Sequence, residues 1–281
     1  DGIRDSVASR GLGDVYKRQN GMKPVVLVSH SMGSPMILYL LTRYVDQAWK
    51  DKYIRCQISL AGIFGGTPKA TRVFAEGGNF GPFVGEAKAF RTQERTQPSL
   101  AWLMPSSDLW SLDEVIIQSQ NINITLANYD EFYHLLEYPD GFEMWQDTKD
   151  LIKGIPAPQI ELYCWHGVNV PTIEQLIYRD FPPTRLFVHP TIKEGDGDGT
   201  VSLRSLQVCL KWREQQSKSV HYRTFDSISH EQIITHKDLA SEVVNILREI
   251  NGENSEFNSK HGDITETSPS DANSFDEEAL H

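Results

Sequence analysis

Apolar positions fall into short runs separated by turn-forming residues. The clearest is Val25–Val28, a β-branched stretch that closes on Ser29-His30-Ser31-Met32-Gly33. A continuous apolar run of this length, followed by a small-residue turn, predicts a buried central strand over 25–29. From Pro35 to about Lys50 the apolar residues Met36, Leu40, Tyr44 and Val45 recur at three- and four-residue spacing, which predicts one helix with proline in its first turn. Ile54–Ala61 is a second apolar run ending at Gly62, and predicts the next parallel strand after a crossover helix. Gly65-Gly66-Thr67-Pro68 then lies at its carboxyl end, the edge where such sheets bind ligands.

The pattern loosens from Arg72 to about Leu103, around a Gly- and Phe-rich stretch at 77–83, and predicts a lid. Residues 105–153 read as a helical cap, its Trp102, Trp110, Tyr129, Phe132, Tyr133, Phe142 and Trp145 assigned mainly to core packing. Beyond it, Gln159–His166 and Val220–Asp226 alternate as strands, and Leu186–His189 is a short apolar segment. Val201–Trp212 and Leu239–Ile250 read as helices. Together these elements predict one α/β domain over 20–250, with the segment 72–153 inserted as lid and cap.

Composition trims the two ends. Of the net charge of −11 in 281 residues, −7 belongs to residues 251–281, an acidic, apolar-poor tail expected to be disordered. Residues 1–19 resemble a translated sequencing adapter and are expected to lie outside the fold. The remaining body is mildly acidic, without a basic stripe, so nucleic acid is not an expected partner. No apolar run reaches transmembrane length.

Ser31 is the candidate nucleophile. A serine between a buried strand and a helix, in Ser29-x-Ser31-x-Gly33, fits the strained elbow of an α/β-hydrolase, with serine in the place usually held by the first glycine. A serine hydroxyl needs a base, and the base needs an orienting carboxylate. In chain order the acid falls in Gly195-Asp196-Gly197-Asp198-Gly199-Thr200-Val201, with Asp198 preferred over Asp196, and the base is His230 after the last strand. A calcium loop is the rival reading of that Asp/Gly cluster. Of the nine histidines, His30 is expected to pack under the elbow, while His166 and His189 precede the acid loop and stand as reserve candidates. The Met32 amide is the expected oxyanion donor. No metal spacing is visible and no cofactor is implied. Cys56 is expected to be a free buried thiol; Cys164 and Cys209 are a possible disulfide in a secreted or lysosomal setting, where Asn123-Ile124-Thr125 is a glycosylation sequon.

These motifs resemble the lecithin:cholesterol acyltransferase family: Val28-Ser-His-Ser31-Met-Gly33, Ala48–Arg55, Gly65-Gly66 and Gly195–Val201, over about Pro24–Ile250. The resemblance implies an α/β-hydrolase fold with Ser31, Asp198 and His230 as catalytic residues, a Cys164–Cys209 disulfide, glycosylation at Asn123, and a lid over about Phe74–Leu103. It implies a lysosomal or secreted enzyme at a phospholipid surface that moves a fatty-acyl group to water or to a lipid alcohol such as ceramide or a sterol. A phospholipid:sterol or phospholipid:diacylglycerol acyltransferase is the alternative within the family, and a non-catalytic lipid binder the alternative outside it. The family's early strands, membrane-binding part and second oxyanion donor precede the elbow and have no counterpart here, so full catalysis is not expected of the chain as it stands.

Overall fold

The computed structural model describes residues 15, 17–78, 87–183 and 189–252. The chain divides into two units, 1–240 and 241–281; of the second, residues 241–251 are helical. Most of the adapter-like segment, the core of the expected lid loop, most of the 186–189 segment and nearly all of the acidic tail lie outside the described residues.

The first unit holds two four-stranded sheets. In chain order its elements are β1 (Val25–His30), α1 (Gly33–Arg43), α2 (Gln47–Tyr53), β2 (Ile54–Leu60), α3 (Pro68–Glu76), α4 (Ala87–Arg95), α5 (Pro98–Trp102), β3 (Val115–Gln118), β4 (Asn123–Thr125), α6 (Tyr129–Leu135), α7 (Pro139–Thr148), β5 (Glu161–Val168), β6 (Thr172–Ile177), β7 (Thr191–Gly195), α8 (Leu203–Leu206), β8 (Val220–Asp226), α9 (Gln232–Thr235) and the start of α10 (Lys237–Asn251). The main sheet runs β1-β2-β5-β8 with every pair parallel. β2 and β5 are its buried strands, and β2 buries Gln57 and Ser59 along with its apolar residues. Cys56 is buried in β2 as a free thiol, and its burial pushes its pKa up to about 11.

Three expectations change. β1, expected to be central, is an edge strand among the described residues, and Val28 on it is 53% exposed. The single helix expected over 35–50 is two, because the Asp46 side chain accepts from the Trp49 amide at 2.8 Å and caps a new helix. The cap expected to be helical is mixed, since β3 and β4 join β6 and β7 in a second sheet of order β4-β3-β6-β7. That sheet and α3, α6 and α7 share one apolar cluster. Trp110, Tyr129, Phe132 and Tyr133 are fully buried within it, so these aromatics are core, as expected, and Phe181 joins them.

Both sheets and the disulfide converge on the acid loop. Cys164 of β5 is bonded to Cys209, 45 residues on, in the 3-10 turn that follows α8. The loop bearing Asp196 and Asp198 lies between the two cysteines in sequence.

Candidate active site

The elbow is built from a strained residue on a polar base. Ser31 has φ 57°, left-handed backbone that a non-glycine residue adopts at a cost of about 1–3 kcal/mol. Its amide donates to the Leu60 carbonyl at 3.0 Å, extending the β1–β2 ladder through the turn. Beneath it a buried network takes the place of the usual glycine contact. Gln57 Nε2 donates to Ser29 Oγ at 3.1 Å, Ser29 and Ser34 hydroxyls pair at 3.0 Å, and Ser59 Oγ donates to Ser34 Oγ at 2.8 Å. This network ties β1, β2 and α1 together under the turn. The sequence reading missed it, although Ser29, Gln57 and Ser59 were visible as polar residues inside apolar strands. Met32 follows Ser31 as the residue before α1, so its amide joins the unpaired N–H groups at a helix start.

Of the two aspartates in the acid loop, Asp198 is the one that reaches His230. Asp198 is fully buried and Asp196 is exposed. Asp198 Oδ1 accepts from the Thr200 amide at 3.0 Å and the Val201 amide at 2.7 Å. Its Oδ2 lies 2.7 Å from His230 Nδ1. Asp196 Oδ1 instead accepts from the Asn169 amide at 2.7 Å and braces the loop from outside. The turn needs glycine at Gly199, with φ +85°, while its amide donates to Thr172 Oγ1 at 2.7 Å.

His230 follows β8 and is buried. A carboxylate at Nδ1 accepts, so the proton sits on Nδ1 and Nε2 is left as the acceptor. That Nε2 lies 2.9 Å from Ser31 Oγ. The main chain is also anchored, because the His230 amide donates to the Asp198 carbonyl at 2.8 Å. Ser31, His230 and Asp198 thus form one continuous hydrogen-bonded line at the carboxyl end of a parallel sheet. Such a line can draw the proton from a serine hydroxyl as the oxygen attacks a carbonyl.

The other candidates sit elsewhere. His30 reaches the His230 carbonyl. His166 is buried with both ring nitrogens engaged, Nδ1 donating to the Gly167 carbonyl at 2.8 Å and Nε2 accepting from Tyr222 Oη at 2.9 Å. Burial holds its pKa below the usual histidine value. His189 is exposed and faces Glu76 at 3.3 Å. Lys69 was not singled out from the sequence, although it follows the Gly65–Pro68 loop already placed at the ligand edge. Its Nζ donates to Thr200 Oγ1 at 2.8 Å, and Thr67 Oγ1 donates to the Thr200 carbonyl at 2.6 Å, so α3 braces the acid turn. Burial lowers the Lys69 pKa, opposed by the charges of Glu231 and Asp198. Asn123 is exposed at the start of β4. Among the described residues, no group of three His, Cys, Asp or Glu is placed to hold a metal ion, and no helix is long and apolar enough to cross a membrane.

Comparison with known proteins finds relatives over most of the chain. The human lysosomal phospholipase A and acyltransferase is 39% identical over 222 residues, covering 79% of this chain and 52% of that protein. The chicken phosphatidylcholine-sterol acyltransferase is 39% identical over 208 residues, covering 73% of this chain and 49% of that one. The chain therefore spans about half the length of the curated relatives it matches. Among solved structures, the crystal structure of the Tle4–Tli4 complex superposes with a TM-score of 0.58 at 12% identity, over 86% of this chain and 63% of that one, a likeness of fold alone. The sequence profile of lecithin:cholesterol acyltransferase matches residues 14–241, a span that takes in the elbow, both sheets, the acid loop and His230, and the chain belongs to that family.

Proposed function

We propose that the protein moves a fatty-acyl group from a glycerophospholipid to water or to a lipid alcohol, with Ser31 as nucleophile, His230 as base and Asp198 as the acid that orients it. The observation carrying this reading is the line from Ser31 Oγ to His230 Nε2 at 2.9 Å and from His230 Nδ1 to Asp198 Oδ2 at 2.7 Å. Ser31 Oγ attacks the ester carbonyl while its proton passes to His230 Nε2. The imidazolium so formed faces the Asp198 carboxylate, which two backbone amides hold in place. The tetrahedral oxyanion is met by the Met32 amide. Collapse expels the lysophospholipid alcohol, which takes the proton from His230 and leaves an acyl-Ser31 ester. Water, or the hydroxyl of ceramide or a sterol, then gives its proton to His230 and takes the acyl group, and His230 returns that proton to the departing Ser31 Oγ.

The names of the two relatives favour different acceptors. One is a lysosomal phospholipase A and acyltransferase and the other a sterol acyltransferase, so phospholipid:sterol transfer is the second reading. The working compartment is proposed as lysosomal or extracellular; the Cys164–Cys209 disulfide supports an oxidising route, on which Asn123 is the proposed glycan site.

Phosphatidylcholine vesicles containing ceramide, cholesterol and diacylglycerol in competition test both readings. In a version extended upstream of the elbow to the length of its relatives, the expected result is fatty-acid release with acylceramide as the main transfer product, and neither in Ser31→Ala. Unchanged turnover in Ser31→Ala contradicts the mechanism, whereas a sterol ester as main product replaces the acceptor. Vesicle binding with no turnover at all marks a lipid-binding protein instead.

A further inference from the structure

His30 does more than pack under the elbow. Its Nε2 lies 2.8 Å from the main-chain oxygen of His230. A carbonyl only accepts, so His30 carries its proton on Nε2 and donates it. The two imidazole rings stand 4.7 Å apart between centroids, tilted by 50°. His30 is half-buried, and burial holds its pKa below the usual value. A neutral ring places no second positive charge beside the imidazolium that forms on His230.

The bond closes a small frame. On the acid side, His230 is held twice by one residue: its amide donates to the Asp198 carbonyl at 2.8 Å and its Nδ1 meets Asp198 Oδ2 at 2.7 Å. On the nucleophile side, the Ser31 Oγ contact must be given up as the reaction proceeds, because that hydroxyl becomes an ester oxygen. The His30 bond is made to a main-chain oxygen and needs no change at any step. His30 also precedes the nucleophile directly, at the end of β1. Any movement of His230 away from Ser31 therefore stretches this bond as well. The frame matters because a displacement of about 1 Å in a catalytic group costs on the order of 100-fold in rate.

We propose that His30 is a positioning residue, whose Nε2–H holds the His230 main chain at working distance from Ser31 through both the acylated and free states of the enzyme. The proposal rests on the reading of Ser31, His230 and Asp198 given above.

The test uses the whole chain, a fluorophosphonate probe and four proteins: wild type, Ser31→Ala, His30→Phe and His30→Gln. Phenylalanine keeps the ring and removes the donor. Glutamine places an N–H at nearly the same reach. The expected outcome is a drop of about tenfold or more in the second-order labelling rate for His30→Phe and recovery to within about threefold of wild type for His30→Gln, with the two variants melting alike. Nitrogen-15 NMR of labelled histidine, assigned by the signal lost in His30→Phe, is expected to show His30 protonated on Nε2. Wild-type labelling rates in His30→Phe, or a proton on Nδ1, overturn the role of His30. Absent labelling of the wild type, or labelling that survives Ser31→Ala, overturns the triad itself and the positioning role with it.

Discussion

Asp198 and Asp196 stand two residues apart in a glycine-flanked loop, and only burial separates them. Asp198 has no solvent to satisfy its carboxylate and takes two amides and His230 instead. Asparagine at 198 keeps the shape but turns one oxygen into a donor, which cannot accept from His230 Nδ1–H. Asp198→Asn is expected to slow fluorophosphonate labelling by about 10³–10⁴-fold, the scale seen when the orienting acid of a serine triad is neutralised. Asp196→Asn is expected to stay within about threefold of wild type, since its carboxylate accepts an amide at the loop's outer face. Equal losses in the two variants would contradict the assignment. The sequence narrowed the acid to this pair because glycine marks the turn, and it favoured Asp198 by the Thr200-Val201 that follows, but burial and contact with His230 depend on the fold. Ser29 was legible as a departure from the glycine usual before a nucleophile. Its use, accepting from Gln57 in a buried network, depends on which face of β2 Gln57 occupies and became clear only with the fold.

Elements that carry the site were easier to read than those around it. The strands β2, β5 and β8 agree closely with their apolar or alternating runs, because each is long enough for its period to show. β3 and β4 are four and three residues long, too short for a period to show, and β3 joins the rest of the second sheet through β6, more than 50 residues on, so no local pattern announced that sheet. Asp46 did announce its helix start, but the apolar spacing through Val45 masked the break. Gly167 shows how closely two elements can meet. A Cβ there would lie 1.8 Å from the Ile228 carbonyl oxygen, in the turn that presents His230. Gly167→Ala is expected to cost about 1–3 kcal/mol in urea unfolding and to lower labelling disproportionately, because that turn must move to make room. A variant as stable and as reactive as wild type would contradict this packing. The disulfide acts at the same scale. Its 45-residue separation corresponds to about 4 kcal/mol of loop entropy by the chain model, so Cys164→Ser with Cys209→Ser is expected to lose about 2–4 kcal/mol, read as a lower urea midpoint.

Across the whole molecule, buried titratable groups set how it tolerates acid. His166 is held neutral by burial, so around its ordinary pKa the unfolded chain binds more protons than the folded one. Its folded state therefore keeps full stability above about pH 6.5 and loses it as pH falls below that value. Glu161 acts at lower pH. Burial alone would raise its pKa, but hydrogen bonds from His221 and Arg55 outweigh that and hold it below the usual carboxylate range. Its contribution is present above about pH 4.3 and is lost as pH falls through its folded pKa. Urea midpoints are expected to fall first between pH 7.5 and 6, then again below about pH 4.5. His166→Gln is expected to flatten the first fall and leave the second; a first fall unchanged in that variant would assign it to other groups. At this scale the family was legible in the sequence because its motifs are local: the elbow, the Gly65-Gly66 loop and the acid turn. The edge position of β1 among the described residues was not, since a run of β-branched residues reads the same at the centre of a sheet as at its margin.

The central claim is that Ser31 is a nucleophile activated by His230. Mass spectrometry of the chain after fluorophosphonate treatment tests it most directly. The account predicts one adduct, on the peptide bearing Ser31, that disappears in Ser31→Ala and falls to background in His230→Phe. An unmodified Ser31, or an adduct that forms equally well without His230, would contradict it.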